Sequence, residues 1–303
     1  MIEDIPSPAD FYDSGIELFD FAWDTVSGLW TTLSEAEEFE IDTAEVSEEY
    51  WAAAKRRLTT ALAVTQQGVE FILKGQIAEV SPYLLLVDGP DRWPSPYDGK
   101  PIMFSQFKTV DAQDLVRLHD TVQQTALPPA FIKTFNELRT RRNTIAHSID
   151  KKLSVHTSEV IETILFFHKT LLPAEKWVKS RVAFIQNSPL SKLNGGEFST
   201  NLACREFSVV LDIPTPAAIE EYFGIDAKQR RYLCPHCFYE ANRDVGFDEK
   251  LAVLRPKDPT STSLYCLICD QEYAVVREDC THKDCPGNVL SGDDDRLCLT
   301  CGC

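Results

Sequence analysis

The stretch Glu137-Leu138-Arg139-Thr140-Arg141-Arg142-Asn143-Thr144-Ile145-Ala146-His147 (ELRTRRNTIAH) carries apolar residues at helical spacing and puts an arginine on the same stripe. Just upstream, Leu127-Pro128-Pro129 breaks the chain and starts a helix in which Phe131, Phe135, Leu138, Arg142 and Ile145 share one face. Burying a guanidinium unpaired is costly, so Arg142 is expected to face a cleft, an interface or an acidic partner. Asn143 and His147 stack on one side of that helix, with Arg142 one step of about 100° away. A cation, an amide and an imidazole thus gather at a helix end. Phosphodiester cleavage without a metal needs such groups: a base for the ribose 2′-hydroxyl proton, an acid for the leaving oxygen, and a guanidinium for the charge on phosphorus. On spacing alone, the plainer reading of a histidine favoured by the helix C-terminal dipole stands ahead of catalysis.

Working outward, the flanking chain is also helical in pattern. Over residues 47–80, Trp51, Ala54, Leu58, Ala61, Leu62, Val69, Ile72, Leu73, Ile77 and Val80 form one apolar stripe, ended by Ser81-Pro82. Residues 87–106 are rich in Pro, Gly and Asp and read as a long loop. Residues 111–124 give a helix with Ala112, Leu115, Leu118 and Val122 inward, and residues 157–172 give another. Beyond Pro173 the helical pattern continues to Gln186. Residues 188–230 read as a linker with one strand at 207–214 (FSVVLDIP) and a short helix near 217–223.

Charge is spread unevenly. Of the formal −17, residues 1–50 hold fifteen Asp/Glu and no Lys/Arg, residues 51–230 carry +3, and residues 231–303 carry −5. Only the middle segment suits a polyanion, because phosphate binding needs a local excess of Lys/Arg. Within residues 10–33, Phe11, Leu18, Phe19, Trp23, Val26 and Trp30 recur at helical spacing between acids, with Gly15 and Gly28 weakening the helix. This acidic amphipathic segment reads as a helix capping the main domain, or as a mask over its basic surface. No export signal and no long apolar run stands out, so the chain reads as a cytoplasmic protein without a membrane partner.

Residues 51–187 resemble the HEPN family of helical nucleotide-binding domains, whose ribonuclease members carry an Arg, a following polar residue and a His, with four to six residues between the Arg and the His. Here these are Arg142, Asn143 and His147, with the long helix carrying Gly68-Val69-Glu70-Phe71-Ile72-Leu73-Lys74 before them and an apolar helix after. The resemblance implies a bundle of four or five helices, a homodimer with two motifs in one cleft, and metal-independent RNA cleavage leaving a 2′,3′-cyclic phosphate. By it, His147 is general acid or base, Arg142 stabilises the phosphate and Asn143 orients one of them. Lys133, Arg139, Arg141, Lys151 and Lys152 surround the motif as candidate RNA-backbone contacts, and Glu70 is a candidate partner for Arg142. Family association points to antiphage defence or a toxin–antitoxin pair, with an antitoxin or regulatory protein as partner. Some family toxins have a tyrosine two residues after the histidine, where this chain has Ile149. Other members are non-catalytic nucleotide- or protein-binding modules, which is the alternative function.

Nine of the ten cysteines fall between Cys234 and Cys303, and clustered Cys-x-x-Cys pairs favour metal over disulfides. Cys234-Pro235-His236-Cys237 and Cys266-Leu267-Ile268-Cys269 match a four-thiolate zinc site, and SLYCLICDQEYAVV has the strand–knuckle–strand form of a zinc ribbon. Cys280, Cys285, Cys298 and Cys301 form a second set, in which His282 or Cys303 could replace a ligand. Four thiolates leave zinc no open position, so one or two structural zinc ions are expected, with no catalytic metal. Cys204 reads as a small core residue. The expected fold is mainly α: an acidic segment at 1–50, a HEPN-like helical bundle at 51–187, a linker at 188–230, and a small β-rich zinc-ribbon module at 231–303.

Overall fold

The computed structural model describes residues 2–38, 42–95, 100–147, 154–241 and 247–303. It is mainly helical, with an antiparallel sheet and two cysteine groups towards the C-terminus. The chain divides into two compact units, residues up to Val26 with Glu49–Leu171, and Ser27–Glu48 with Leu172–Cys303. The bounds differ from the expected segments: the N-terminal helix is shared between the units, and residues 172–187 group with the C-terminal part.

The first unit contains strand β1 (Ile2–Glu3), the first part of helix α1 (Pro8–Glu38) and most of α2 (Thr43–Val80). Beyond these come strand β2 (Ile102–Met103), paired in parallel with β1, and helices α3 (Ala112–Val122), α4 (Pro129–His147) and α5 (Thr157–Leu171). Helix α1 starts at a reciprocal cap: Asp10 N–H donates to Ser7 Oγ, and Ser7 N–H donates to Asp10 Oδ2 at 2.7 Å. Phe19, Ala22, Trp23 and Val26 are then wholly buried. The acidic helix is therefore half core, and one of its carboxylates, Asp20, is itself buried.

Gly15 does more than weaken the helix. A Cβ on Gly15 would lie 2.6 Å from Ile72 Cγ1 and 2.9 Å from the Gly68 carbonyl, and one on Gly68 would lie 2.7 Å from Phe19 Cδ1. The two glycines let α1 and α2 approach backbone to backbone, and Tyr12 Oη donates to Glu79 Oε1 at 2.7 Å along the same seam. The expected stripe on α2 is buried from Ala54 to Ile77, whereas Val80 is exposed. On α4, Phe131 and Phe135 stack at 6.0 Å, and Phe131 meets Phe167 of α5 edge-on at 5.1 Å.

The second unit holds helices α6 (Trp177–Asn187), α7 (Pro189–Asn194), α8 (Gly196–Val210), α9 (Pro216–Phe223) and α10 (Pro235–Glu240). Its sheet runs β3 (Arg231–Tyr232), β4 (Ala252–Leu254), β5 (Ser263–Cys266), β6 (Gln271–Val276) and β7 (Leu290–Ser291) in sequence order, each strand antiparallel to the next. Residues 188–230 are thus no linker. The FSVVLDIP strand expected at 207–214 is the end of α8 and the turn after it, since Ala203, Cys204, Phe207 and Val210 are buried at helical spacing. The paired β-branched Val209 and Val210 favoured a strand locally, and packing overrides that propensity. Helix α8 also carries Glu206, which takes Nε and Nη2 of Arg181 on α6 at 2.8 and 2.7 Å. That arginine is 2% exposed, and Ser27 Oγ adds a hydrogen bond to the same carboxylate.

Candidate functional sites

Helix α4 brings Arg142, Asn143 and His147 to its C-terminal end, where His147 is the last helical residue. Arg142 is half-buried, and its Nη1 donates to Asn143 Oδ1 at 3.2 Å. Asn143 itself is exposed. The side chain of His147 and all of Lys151 and Lys152 lie outside the described residues. Among the described residues no ion pair joins Arg142 to Glu70; Glu70 instead accepts from Gln66, one turn earlier on α2.

The other cations of the motif differ in their engagement. Arg141 pairs with Glu159 on α5 and donates from Nη2 to the Ser154 carbonyl at 2.7 Å, which ties the end of α4 to α5. Arg139 is half-buried and Lys133 is exposed. Arg141 is thereby committed to holding helices together, and of the three described basic neighbours Lys133 presents the most open charge.

The two cysteine groups are built by different local devices. Cys234 caps α10, its sulfur accepting from the Cys237 N–H at 3.5 Å, so one knuckle is a helix start. The other is the turn of the β5–β6 hairpin, where Cys266 pairs with Gln271 and Asp270 adopts φ 54° to bring the chain back. A left-handed turn residue without a β-branch suits that corner. The sulfurs of Cys234 and Cys269 stand 3.8 Å apart, and those of Cys237 and Cys266 3.7 Å. Tetrahedral zinc with Zn–S of about 2.3 Å requires sulfurs about 3.8 Å apart, so the spacing fits such an ion.

Crowding shapes the chemistry of this group. Hydrogen bonding among the packed thiols, followed by burial, holds Cys234 and Cys266 above the ordinary thiol range, while bonds from the same neighbours pull Cys269 far below it. Cys204, buried on α8, is the first cause of the raised Cys237. It packs against a ligand thiol instead of standing apart. Tyr273 Oη lies 3.3 Å from the Cys269 sulfur, and such outer partners orient and tune metal ligands.

In the second group Cys280 and Cys301 stand 3.7 Å apart, and Cys285 and Cys298 3.8 Å. His282 contributes its backbone N–H to Cys280 Sγ, and the Cys303 carbonyl accepts from the Cys298 N–H at 2.8 Å. Both act through the backbone, so the four cysteines are the set whose sulfurs converge. Gly287 is required here, because a Cβ would lie 2.8 Å from Cys298 Sγ. Gly302 sits at φ 79°, a left-handed position where glycine carries no steric penalty. Each group could hold a metal ion such as zinc. The first is largely buried, whereas the second has Cys301 exposed.

Arg181 and Glu206 escaped the sequence reading. The signal was present, since Trp177, Arg181 and Ile185 recur at four-residue intervals and set an arginine on an apolar face, as Arg142 is set on α4. No helix among the described residues is long and apolar enough to cross a membrane. No family model, no curated protein and no solved structure matches this chain.

Proposed function

We propose that the protein is a metal-independent endoribonuclease of the HEPN type, cleaving RNA through the 2′-hydroxyl. The observation that carries this reading is Arg142: half-exposed, bonded by its side chain to Asn143, and placed so that His147 follows at the end of the same helix. No ion pair holds Arg142 among the described residues, so the guanidinium can meet a phosphate directly. By the family resemblance, His147 is the group that moves protons for the ribose 2′-hydroxyl and the leaving oxygen. We further propose a homodimer with two motifs in one cleft, a cytoplasmic defence or toxin-type role, and structural zinc in both cysteine groups, the first as a zinc ribbon.

The test is incubation of the zinc-loaded protein with a mixed RNA pool beside Arg142→Ala and His147→Ala, with product ends identified. Products ending in 2′,3′-cyclic phosphate, lost in both variants while folding is kept, are the expected outcome. Absence of cleavage by the folded, metal-loaded protein overturns the reading in favour of a non-catalytic binding module.

A further inference from the structure

The second unit is acidic in its tail, yet it holds one cleft in which positive charge is concentrated. The cleft, about 260 Å³, opens where the start of α6, the end of α9 and the β5–β6 hairpin meet, and Lys176, Lys179, Arg255 and Asp270 line it together with Tyr222 and Tyr265. These groups come from four separate stretches of chain, so no run of basic residues marks the site in the sequence.

Three cations and one carboxylate do not cancel. Asp270 accepts from Lys176 Nζ at 2.5 Å and from Tyr265 Oη at 2.8 Å. The carboxylate is thereby paired with the Lys176 ammonium. Arg255 and Lys179 remain. The Arg255 guanidinium lies over the Tyr265 ring, 3.8 Å from its centroid, and Nη2 donates to the Gly224 carbonyl at 3.2 Å. Among the described residues that is its one hydrogen bond. The ring and the carbonyl fix the guanidinium as a rigid plane with donors to spare, and Lys179 is exposed at the rim.

A planar cation backed by an aromatic ring, beside a second, exposed cation and a tyrosine wall, suits a ligand that joins phosphate to a flat base. Guanidinium forks bind phosphate oxygens in pairs, and both guanidinium planes and aromatic rings stack on bases. We propose that this cleft binds a nucleoside phosphate, with Arg255 and Lys179 on the phosphate and the Tyr222 side on the base. The ligand is a free mononucleotide or the phosphorylated end of an RNA strand, two sources of one chemistry. The site belongs to the second unit alone and does not depend on the nuclease reading of α4.

The test is calorimetric titration of the full-length, zinc-loaded protein with AMP, ADP, adenosine and inorganic phosphate, and with a short oligoribonucleotide carrying a 5′-phosphate or a 5′-hydroxyl. AMP or ADP should bind in the micromolar to millimolar range and adenosine at least about tenfold more weakly. Lys179→Glu, a rim substitution, should weaken AMP about tenfold or more with circular dichroism and zinc content unchanged. Arg255→Lys, which keeps the charge and loses the fork, should weaken it as well. Tighter binding of the 5′-phosphorylated strand than of AMP assigns the site to RNA ends, and the reverse assigns it to free nucleotide. No binding of any phosphate ligand, equal binding of adenosine and AMP, or affinities unmoved by both substitutions overturns the proposal. Ribonuclease activity, present or absent, leaves each of these readouts interpretable.

Discussion

The two units of this chain reach a stable interior by different means. In the first, helices pack on aromatic and aliphatic side chains, and α1 meets α2 through two glycines that bring the backbones together. In the second, short helices and a sheet of two- to six-residue strands close around sulfur and a buried ion pair. The sheet's strands are short, and small modules of that kind depend on metal or other cross-links for stability. A unit built on apolar packing should fail gradually under substitution, and one built on ligands should fail all at once.

The sharpest way to break that comparison is to remove a ligand. Cys237→Ser takes away a buried thiolate of the first cysteine group, and structural zinc contributes apparent binding energies of about 10–16 kcal/mol. Hydrogen exchange should show β4, β5 and β6 losing protection together while α2 keeps its own. Retained protection in the sheet would mean that packing alone suffices there. Next in size is Arg181→Ala, which takes the cation from the largely buried Glu206 carboxylate and should cost about 3–5 kcal/mol in denaturant unfolding. Glu206→Gln, which keeps the shape of the acceptor, should cost less.

The first unit has its own titrating weakness. Burial lowers the pKa of His168 on α5 from 6.5 to about 4. Its folded value lies below its unfolded value, so the unfolded chain binds the extra proton in the window between them, and stability falls as pH drops from about 6.5 to about 4. The full loss is about 3 kcal/mol. Unfolding of the first unit measured across that window should lose most of this slope in His168→Gln, and an unchanged slope would assign it to another group. Smallest is Gly15→Ala. Helix propensity favours alanine by about 1 kcal/mol, yet its Cβ would meet the Gly68 carbonyl and Ile72, and overpacking costs about 1–3 kcal/mol. Net destabilisation is expected, whereas Gly28→Ala, with open space around it, should stabilise.

What could be read from the sequence follows the range over which each signal acts. The helices of the first unit were legible because apolar periodicity is local, as in Phe131, Phe135 and Leu138. The cysteine groups were legible because each Cys-x-x-Cys knuckle is a short turn, and the strand–knuckle–strand form of β5 and β6 follows from alternation around Cys266 and Cys269. Helix α8 was missed because Val209-Val210 reads as a strand until Phe207 is known to lie on Phe223. The cleft was missed because Lys179, Arg255 and Tyr222 are distant in sequence. The arginine argument was incomplete. It singled out Arg142, which is half-exposed, and passed over Arg181, where the same pattern yields a buried pair.

One feature of the β5–β6 hairpin extends past its own turn. Tyr265 and Asp270 line the cleft, and Cys266 and Cys269 stand between them in sequence as thiols of the first group. A ligand gripped by Arg255, which rests on the Tyr265 ring, and a metal that the turn could hold would therefore act on one hairpin. Thermodynamic linkage makes such sharing reciprocal: whatever factor the metal adds to ligand affinity, the ligand returns to metal retention. Exchange of zinc for a competing chelator would then be a clock for the cleft, running slower when nucleotide is present.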